Sequence, residues 1–250
     1  MESVACLPCL QPTVTRTTLR QFHRLALAMV VMTGRVTMVG LSRWAGPGGS
    51  DRTVPRFVAT VMPWAVLFWV FLRHHVYRSE ETYLLGGDEG VVPKAGTTTP
   101  GLARFFARLY DKPVPGLAFF ALSLVSSPRR RSFPIRVEPV VRSDAEKAAS
   151  QAKAAAKQLP PARGKRYPGR PQGRKTTAKT DATLSPELER IKRLIDAWLP
   201  LRAASLSLTY VVLDGPFGTH HALAMARQWH LPLLAKLRAA SALYWPSTGP

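Results

Sequence analysis

Two carboxylates in this chain ride on apolar runs, an unusual place for an acid. Ser207-Leu-Thr-Tyr-Val-Val-Leu-Asp214-Gly215 is β-branched, aromatic and leucine-rich, and Gly215 and Pro216 close it. It is too short for a typical helix and reads as a buried central strand. An acid at the carboxyl end of such a strand stands where open α/β sheets place their ligands. Glu81-Thr-Tyr-Leu-Leu-Gly-Gly-Asp88-Glu89-Gly-Val-Val is a second apolar run, with Asp88 in its middle. Acids inside strands are disfavoured, and a partly buried carboxylate needs a partner or a metal. If the two strands are neighbours, one Mg2+ or Mn2+ bridges Asp88 and Asp214, since oxygen ligands suit hard cations. Such a pair serves phosphoryl transfer, where metal ions activate a water or a 3′-hydroxyl and steady the leaving oxygen. The plainer alternatives are that Asp214 begins a turn or caps the next helix, and that Asp88 marks a bulge at Gly86-Gly87. His220 and His221 stand at a helix start, where paired histidines are more often exposed than ligating.

The charge balance narrows the substrate. Lys and Arg number 35 against 15 Asp and Glu, giving a net charge of +20 and a pI of about 11.0. That is the footprint of a polyanion partner, either nucleic acid or an anionic membrane surface. The 250 residues, 46% of them hydrophobic, allow one large domain or two modest ones with a sizeable core. Cys6 and Cys9 form one Cys-x-x-Cys with no second pair and no histidine until His23, which does not support a four-ligand zinc site. No βαβ pattern follows them, so they read as ordinary reduced thiols of a cytoplasmic protein. Met1 to Leu10 lacks the basic stretch and apolar core of a signal peptide. Phe57 to Leu72 is a 16-residue apolar run interrupted by Pro63. It is shorter than the ~20 residues a membrane span needs and reads as a buried core helix.

The remaining elements must position the two acids. Leu19, Phe22, Leu25, Ala26 and Met29 recur at helical spacing between Thr15 and Thr33, and Gly34 ends that helix. A short apolar segment, Val36 to Trp44, and a Gly46-Pro-Gly-Gly-Ser50 turn follow, with a further helix starting near Ser50-Asp51. Short helices with arginines at their turns suit either a helix-turn-helix-like DNA reader or a plain bundle. Gly116 to Ser126 reads as a strand buried on both faces, and Ser132 to Val141 as its hairpin partner across the basic turn Ser127-Pro-Arg-Arg-Arg131. With the Asp88 strand they make an antiparallel meander. Ser143-Asp-Ala-Glu146 is a capping box opening a helix to Gln158. Ser185-Pro186-Glu187 starts another, with Leu188, Ile191, Leu194, Ile195, Trp198 and Leu199 on one face. After the Asp214 strand come a helix over 218–229 and a short strand over 231–237, a strand-helix-strand unit that predicts a parallel pair.

Residues 159–182 differ in kind. They hold seven basic residues, one acid and almost no apolar bulk, so they cannot bury enough to fold alone. Arg163, Lys165, Arg166, Arg170, Arg174 and Lys175 are the candidate DNA contacts. Pro168-Gly-Arg-Pro-Gln-Gly-Arg174 resembles an AT-hook, which implies an extended backbone in a narrow A·T minor groove with Arg170 reaching inward. The bland alternative is a solvated linker that meets phosphates by charge alone.

The order of three strands, a helix, an acid-tipped strand and a helix resembles the ribonuclease H-like fold. Leu41-Ser-Arg-Trp-Ala-Gly-Pro-Gly-Gly-Ser50, Tyr83-Leu-Leu-Gly-Gly-Asp88-Glu89, the run from Lys112 to Val125, Val141-Arg-Ser-Asp-Ala-Glu-Lys147 and Tyr210-Val-Val-Leu-Asp-Gly-Pro-Phe-Gly218 are similar to the amino-terminal portion of DDE-superfamily transposases of bacterial insertion sequences. The resemblance implies that Asp88 and Asp214 are the first two acids of an Asp-Asp-Glu triad holding Mg2+ or Mn2+. It implies DNA as partner, through the terminal inverted repeats of an element, with assembly into homo-oligomers and a cytoplasmic, nucleoid-associated location without a membrane anchor. The expected fold is α/β, a partial ribonuclease H-like mixed sheet after a small helical domain, with a disordered basic insert. The expected boundaries are 1–80 for the helical DNA-binding part, 81–142 and 184–250 for the two parts of the catalytic domain, and 143–183 for the helix and linker. The chain departs from that family where Pro93 follows the Asp88 strand and Pro216 follows Asp214. No Asp or Glu occurs from 215 to 250, so the third acid is absent. The expectation is a truncated or decaying copy that binds DNA and cuts little on its own, the alternatives being a non-catalytic DNA-binding remnant or a membrane-associated basic protein.

Overall fold

A computed structural model describes residues 6–96, 98–158, 184–202 and 206–236. The helices are α1 (Arg16–Val31), α2 (Met38–Trp44), α3 (Thr53–Val58), α4 (Trp64–His75), α5 (Asp144–Gln158), α6 (Pro186–Trp198) and α7 (His220–Arg227). The strands are β1 (Tyr83–Pro93), β2 (Ala103–Ala107), β3 (Lys112–Ser126), β4 (Arg131–Pro139), β5 (Leu208–Leu213) and β6 (Leu233–Ala235). They form one six-stranded sheet in the order β2-β3-β1-β5-β6, with β4 also paired to β3. β2 runs antiparallel to β3, with Ala103 opposite Gly116. β5 runs parallel to β6, with Val211 opposite Leu233. The result is the mixed sheet with flanking helices expected of a ribonuclease H-like fold.

The chain divides into two compact units. The first comprises Met1–Leu85, Ser123–Arg136 and Leu194–Thr209, and the second Gly86–Leu122, Val137–Arg193 and Tyr210–Pro250.

In the first unit, Thr15 caps α1 by accepting a hydrogen bond from the Thr18 amide at 3.2 Å, and Gly34 follows the helix at φ 94°. Leu25 and Ala28 of α1, Leu41 of α2, Val54 and Phe57 of α3 and Leu67 of α4 bury one another. Phe22 stacks on Phe57 at 6.2 Å between centroids. The run from Phe57 to Leu72 is not one helix. α3 ends at Val58 and α4 starts at Trp64, because Pro63 has no N–H for a helical ladder and disfavours helical backbone at Met62. No helix among the described residues is long and apolar enough to cross a membrane. Neither Cys6 nor Cys9 is in a disulfide with a described residue, and burial together with Cys6 pushes the Cys9 thiol up.

Glu81 is buried in this unit and is matched by donors. Its Oε2 accepts from Ser126 Oγ at 2.7 Å and from Arg129 Nε at 2.9 Å. Arg129 also donates to the Val76 carbonyl and to the Tyr83 hydroxyl, at 2.9 and 3.0 Å. Burial alone would push the Glu81 carboxyl up, but these donors and the arginine charges hold it below the usual carboxylate range. A lowered carboxyl contributes stability above its unfolded pKa, and that contribution is lost as pH falls through the folded value. Acidification from about pH 5 to pH 3 is therefore expected to lower the Tm of the wild type more than that of Glu81→Gln. Equal pH slopes in thermal melts would remove Glu81 from the account.

In the second unit, two glycines fix strand packing. A Cβ on Gly87 would meet Phe120 Cζ at 2.6 Å and Leu213 Cδ2 at 2.9 Å. A Cβ on Gly116 would meet the Val92 carbonyl oxygen at 2.6 Å, backbone against backbone. β3 alternates, with Ala118, Phe120, Leu122 and Leu124 buried and the residues between them half-buried, so its two faces are not equally covered. The capping box forms as expected: Ser143 N donates to Glu146 Oε2 at 2.7 Å and Glu146 N to Ser143 Oγ at 3.2 Å. Glu146 also pairs with Arg190 of α6 at 2.8 Å. Ser185 caps α6, accepting from the Leu188 amide at 3.3 Å.

Candidate active site

β1 and β5 are neighbours in the sheet, which brings two acids 126 positions apart in sequence to one place. Asp88 lies within β1 and is exposed, the strand continuing through Gly86 and Gly87. Asp214 follows the last residue of β5. Its Oδ1 accepts from the Gly215 amide at 2.6 Å, so it caps the 3-10 turn Gly215–Phe217. Capping a turn and facing a cavity are therefore compatible roles for this side chain. Asp88 and Asp214 line one cavity of about 410 Å³, together with Glu89, Arg108, Tyr110 and Glu187, all within the second unit.

Arg108 is the nearest cation. It stands on the 3-10 turn Arg108–Tyr110 that follows β2, and its Nη2 donates to Asp214 Oδ2 in an ion pair. Asp88 Oδ1 accepts only from its neighbour's amide, Glu89 N, at 2.9 Å among the hydrogen bonds it makes to described residues. Burial pushes the Glu89 carboxyl up, Glu187 and Asp88 add to the rise, and Arg142 and Arg190 oppose it.

The donor set is all carboxylate, which fits a hard divalent cation and not a soft one. Mg2+ takes one or two protein carboxylates and completes its shell with substrate phosphates and water. Asp88 and Asp214 meet that requirement. Among the described residues no group of three His, Cys, Asp or Glu side chains is arranged to hold a metal ion by protein ligands alone. His220 and His221 open α7, are exposed, and do not line this cavity.

Of the residues singled out by sequence, Asp88 and Asp214 are brought together. Arg163, Lys165, Arg166, Arg170, Arg174 and Lys175 lie outside the described residues. Sequence reasoning missed Glu187 and Arg108 as cavity residues. Glu187 reads in sequence as a first-turn acid favoured by the helix dipole, which conceals a second role. Arg108 follows a five-residue strand, β2, that no turn or alternation signal announced.

The family described as DDE superfamily endonuclease matches residues 9–250 of the chain. No curated protein and no solved structure matches it.

Proposed function

The chain belongs to the DDE superfamily of endonucleases, and on that premise we propose that it acts as a transposase on the terminal repeats of an insertion sequence. The observation that carries the proposal is the convergence of Asp88 and Asp214 on one cavity from neighbouring strands. In this reading the two carboxylates hold Mg2+ or Mn2+. The metal, when bound, polarises a phosphoryl oxygen and activates the attacking water or 3′-hydroxyl.

The chain's own residues set the conditions. The Gly215 amide fixes one oxygen of Asp214, leaving the other for a cation. Arg108 neutralises that oxygen and competes with the metal for it. An ion pair this exposed is weak. Arg108→Ala is therefore expected to bind Mn2+ roughly two- to fivefold more tightly. Calorimetric titration checks this, and weaker binding would mean that Arg108 supports the metal.

DNA affinity in this reading comes largely from arginines. Arg16, Arg20 and Arg24 recur every fourth residue on α1 and so share a face. Phosphate contacts by such a face make affinity fall with salt. The expected result is tight binding to a duplex carrying the terminal repeat, with a log–log salt slope shallower by about two in Arg16→Ala/Arg20→Ala. A salt-independent affinity, or no preference for the repeat over scrambled duplex, would sink the transposase reading.

The Arg108–Asp214 ion pair occupies an oxygen that a metal would need, which favours a second reading, DNA binding without efficient cutting. Strand cleavage by the purified 250-residue chain in Mg2+, abolished by Asp88→Asn, would exclude it.

A further inference from the structure

The cavity has a second wall that metal chemistry does not use. Phe106, at the end of β2, is 55% exposed, Leu109 is 87% exposed and Tyr110 is 49% exposed. All three line the cavity. Large apolar side chains left in water forgo the free energy of burial, so three on one catalytic wall point to an occupant. Arg108 lies between them in the chain and touches Asp214. Two residues of chain span at most about 7 Å, so Phe106 and Tyr110 are anchored close to that carboxylate contact. β2 ends the strand order, so no further strand among the described residues covers it.

We propose that Phe106 and Tyr110 form a stacking shelf for the base of an unpaired nucleotide adjoining the phosphate handled at Asp88 and Asp214. A base inside a duplex is stacked above and below and has no free face to offer. A frayed or extruded nucleotide does, and aromatic side chains take such bases without regard to sequence. Charge selects a nucleotide over an apolar peptide. The Arg108 guanidinium shares the cavity, its fork of donors matches a phosphate, and the chain carries a net charge of +20. The cavity volume of about 410 Å³ lies within the range of small-ligand sites. This inference rests on the phosphoryl-transfer reading of the cavity and adds the form of DNA that it accepts.

The test uses the full chain in EDTA, so that nothing is cut. The probe is a short oligothymidylate carrying a single 2-aminopurine, alone and annealed to its complement. Stacking quenches 2-aminopurine. The single strand is expected to be quenched on binding. Phe106→Ala and Tyr110→Ala are expected to lose that quenching and to bind the single strand roughly tenfold more weakly, with duplex affinity unchanged. Both side chains are exposed, so circular dichroism should show an unaltered fold. Quenching that survives in both variants overturns the shelf, as does an equal loss on duplex. A variant that turns a dimer into a monomer while quenching survives assigns the wall to a second copy of the chain, and also overturns it. Mn2+ titration of Asp88→Asn separates the two layers: an undiminished affinity sinks the metal reading, whatever the fluorescence shows.

Discussion

Asp88→Asn is expected to weaken Mn2+ binding by about 100-fold or more, because loss of an outer-shell partner alone costs 10–100-fold. The substitution keeps the shape of the side chain and one acceptor oxygen, and removes the charge. Asp88 is exposed on β1, and surface changes away from packed groups move stability little. The thermal melt should therefore stay put while the metal isotherm collapses. Asp214→Asn should do the same to the isotherm. It should also release Arg108, whose ion pair loses its anion. Electron paramagnetic resonance of free Mn2+ gives the affinities directly. An Asp88→Asn chain that binds Mn2+ as the wild type does would leave Asp88 as a strand acid with no part in the site.

The second large effect concerns folding. Trp198, near the end of α6, is fully buried and meets Trp69 of α4 edge-to-face at 5.8 Å between centroids. Both belong to the first unit. Trp198→Ala removes that contact and leaves a cavity, an expected loss of about 3–5 kcal/mol. Trp198→Phe is expected to cost far less. It keeps an aromatic edge, and it deletes an indole N–H that has no hydrogen-bond partner among the described residues. Leaving a buried donor unmatched costs about 1–3 kcal/mol, which offsets part of the lost volume. Urea denaturation of the two variants measures the difference. Equal damage from both would mean that Trp198 Nε1 does find a partner.

The parts of this fold that were legible are those whose cause is local. Ser143 and Glu146 bond each other because three residues of helix separate them, and Ser185 caps α6 for the same reason. Asp214 stands out in sequence because a carboxylate closing an apolar run conflicts with its surroundings. Asp88 stands out for the same reason, and the adjacency of their strands sets both on one cavity. The rest depends on partners far apart in the chain. Nothing near Arg108 indicates Asp214, 106 residues on, and nothing near Glu81 indicates Arg129, 48 residues on. β2 escaped because Ala103-Arg-Phe-Phe-Ala107 is short, sits at the end of the strand order and sets Phe105 and Phe106 side by side, which hides its alternating burial. The apolar run from Phe57 reads as one buried helix despite the interruption at Pro63, and there the local rule outweighs hydrophobicity.

Gly87 and Gly116 carry no functional group, yet Phe120, Leu213 and the Val92 carbonyl close over the space a side chain would need. In a saturation library selected for DNA processing, both positions would be depleted nearly as strongly as Asp88. A map of intolerance would then draw the active centre too large. Only a parallel count of how much folded protein each variant yields would separate the acid proposed to act from the glycines that let its strand lie flat.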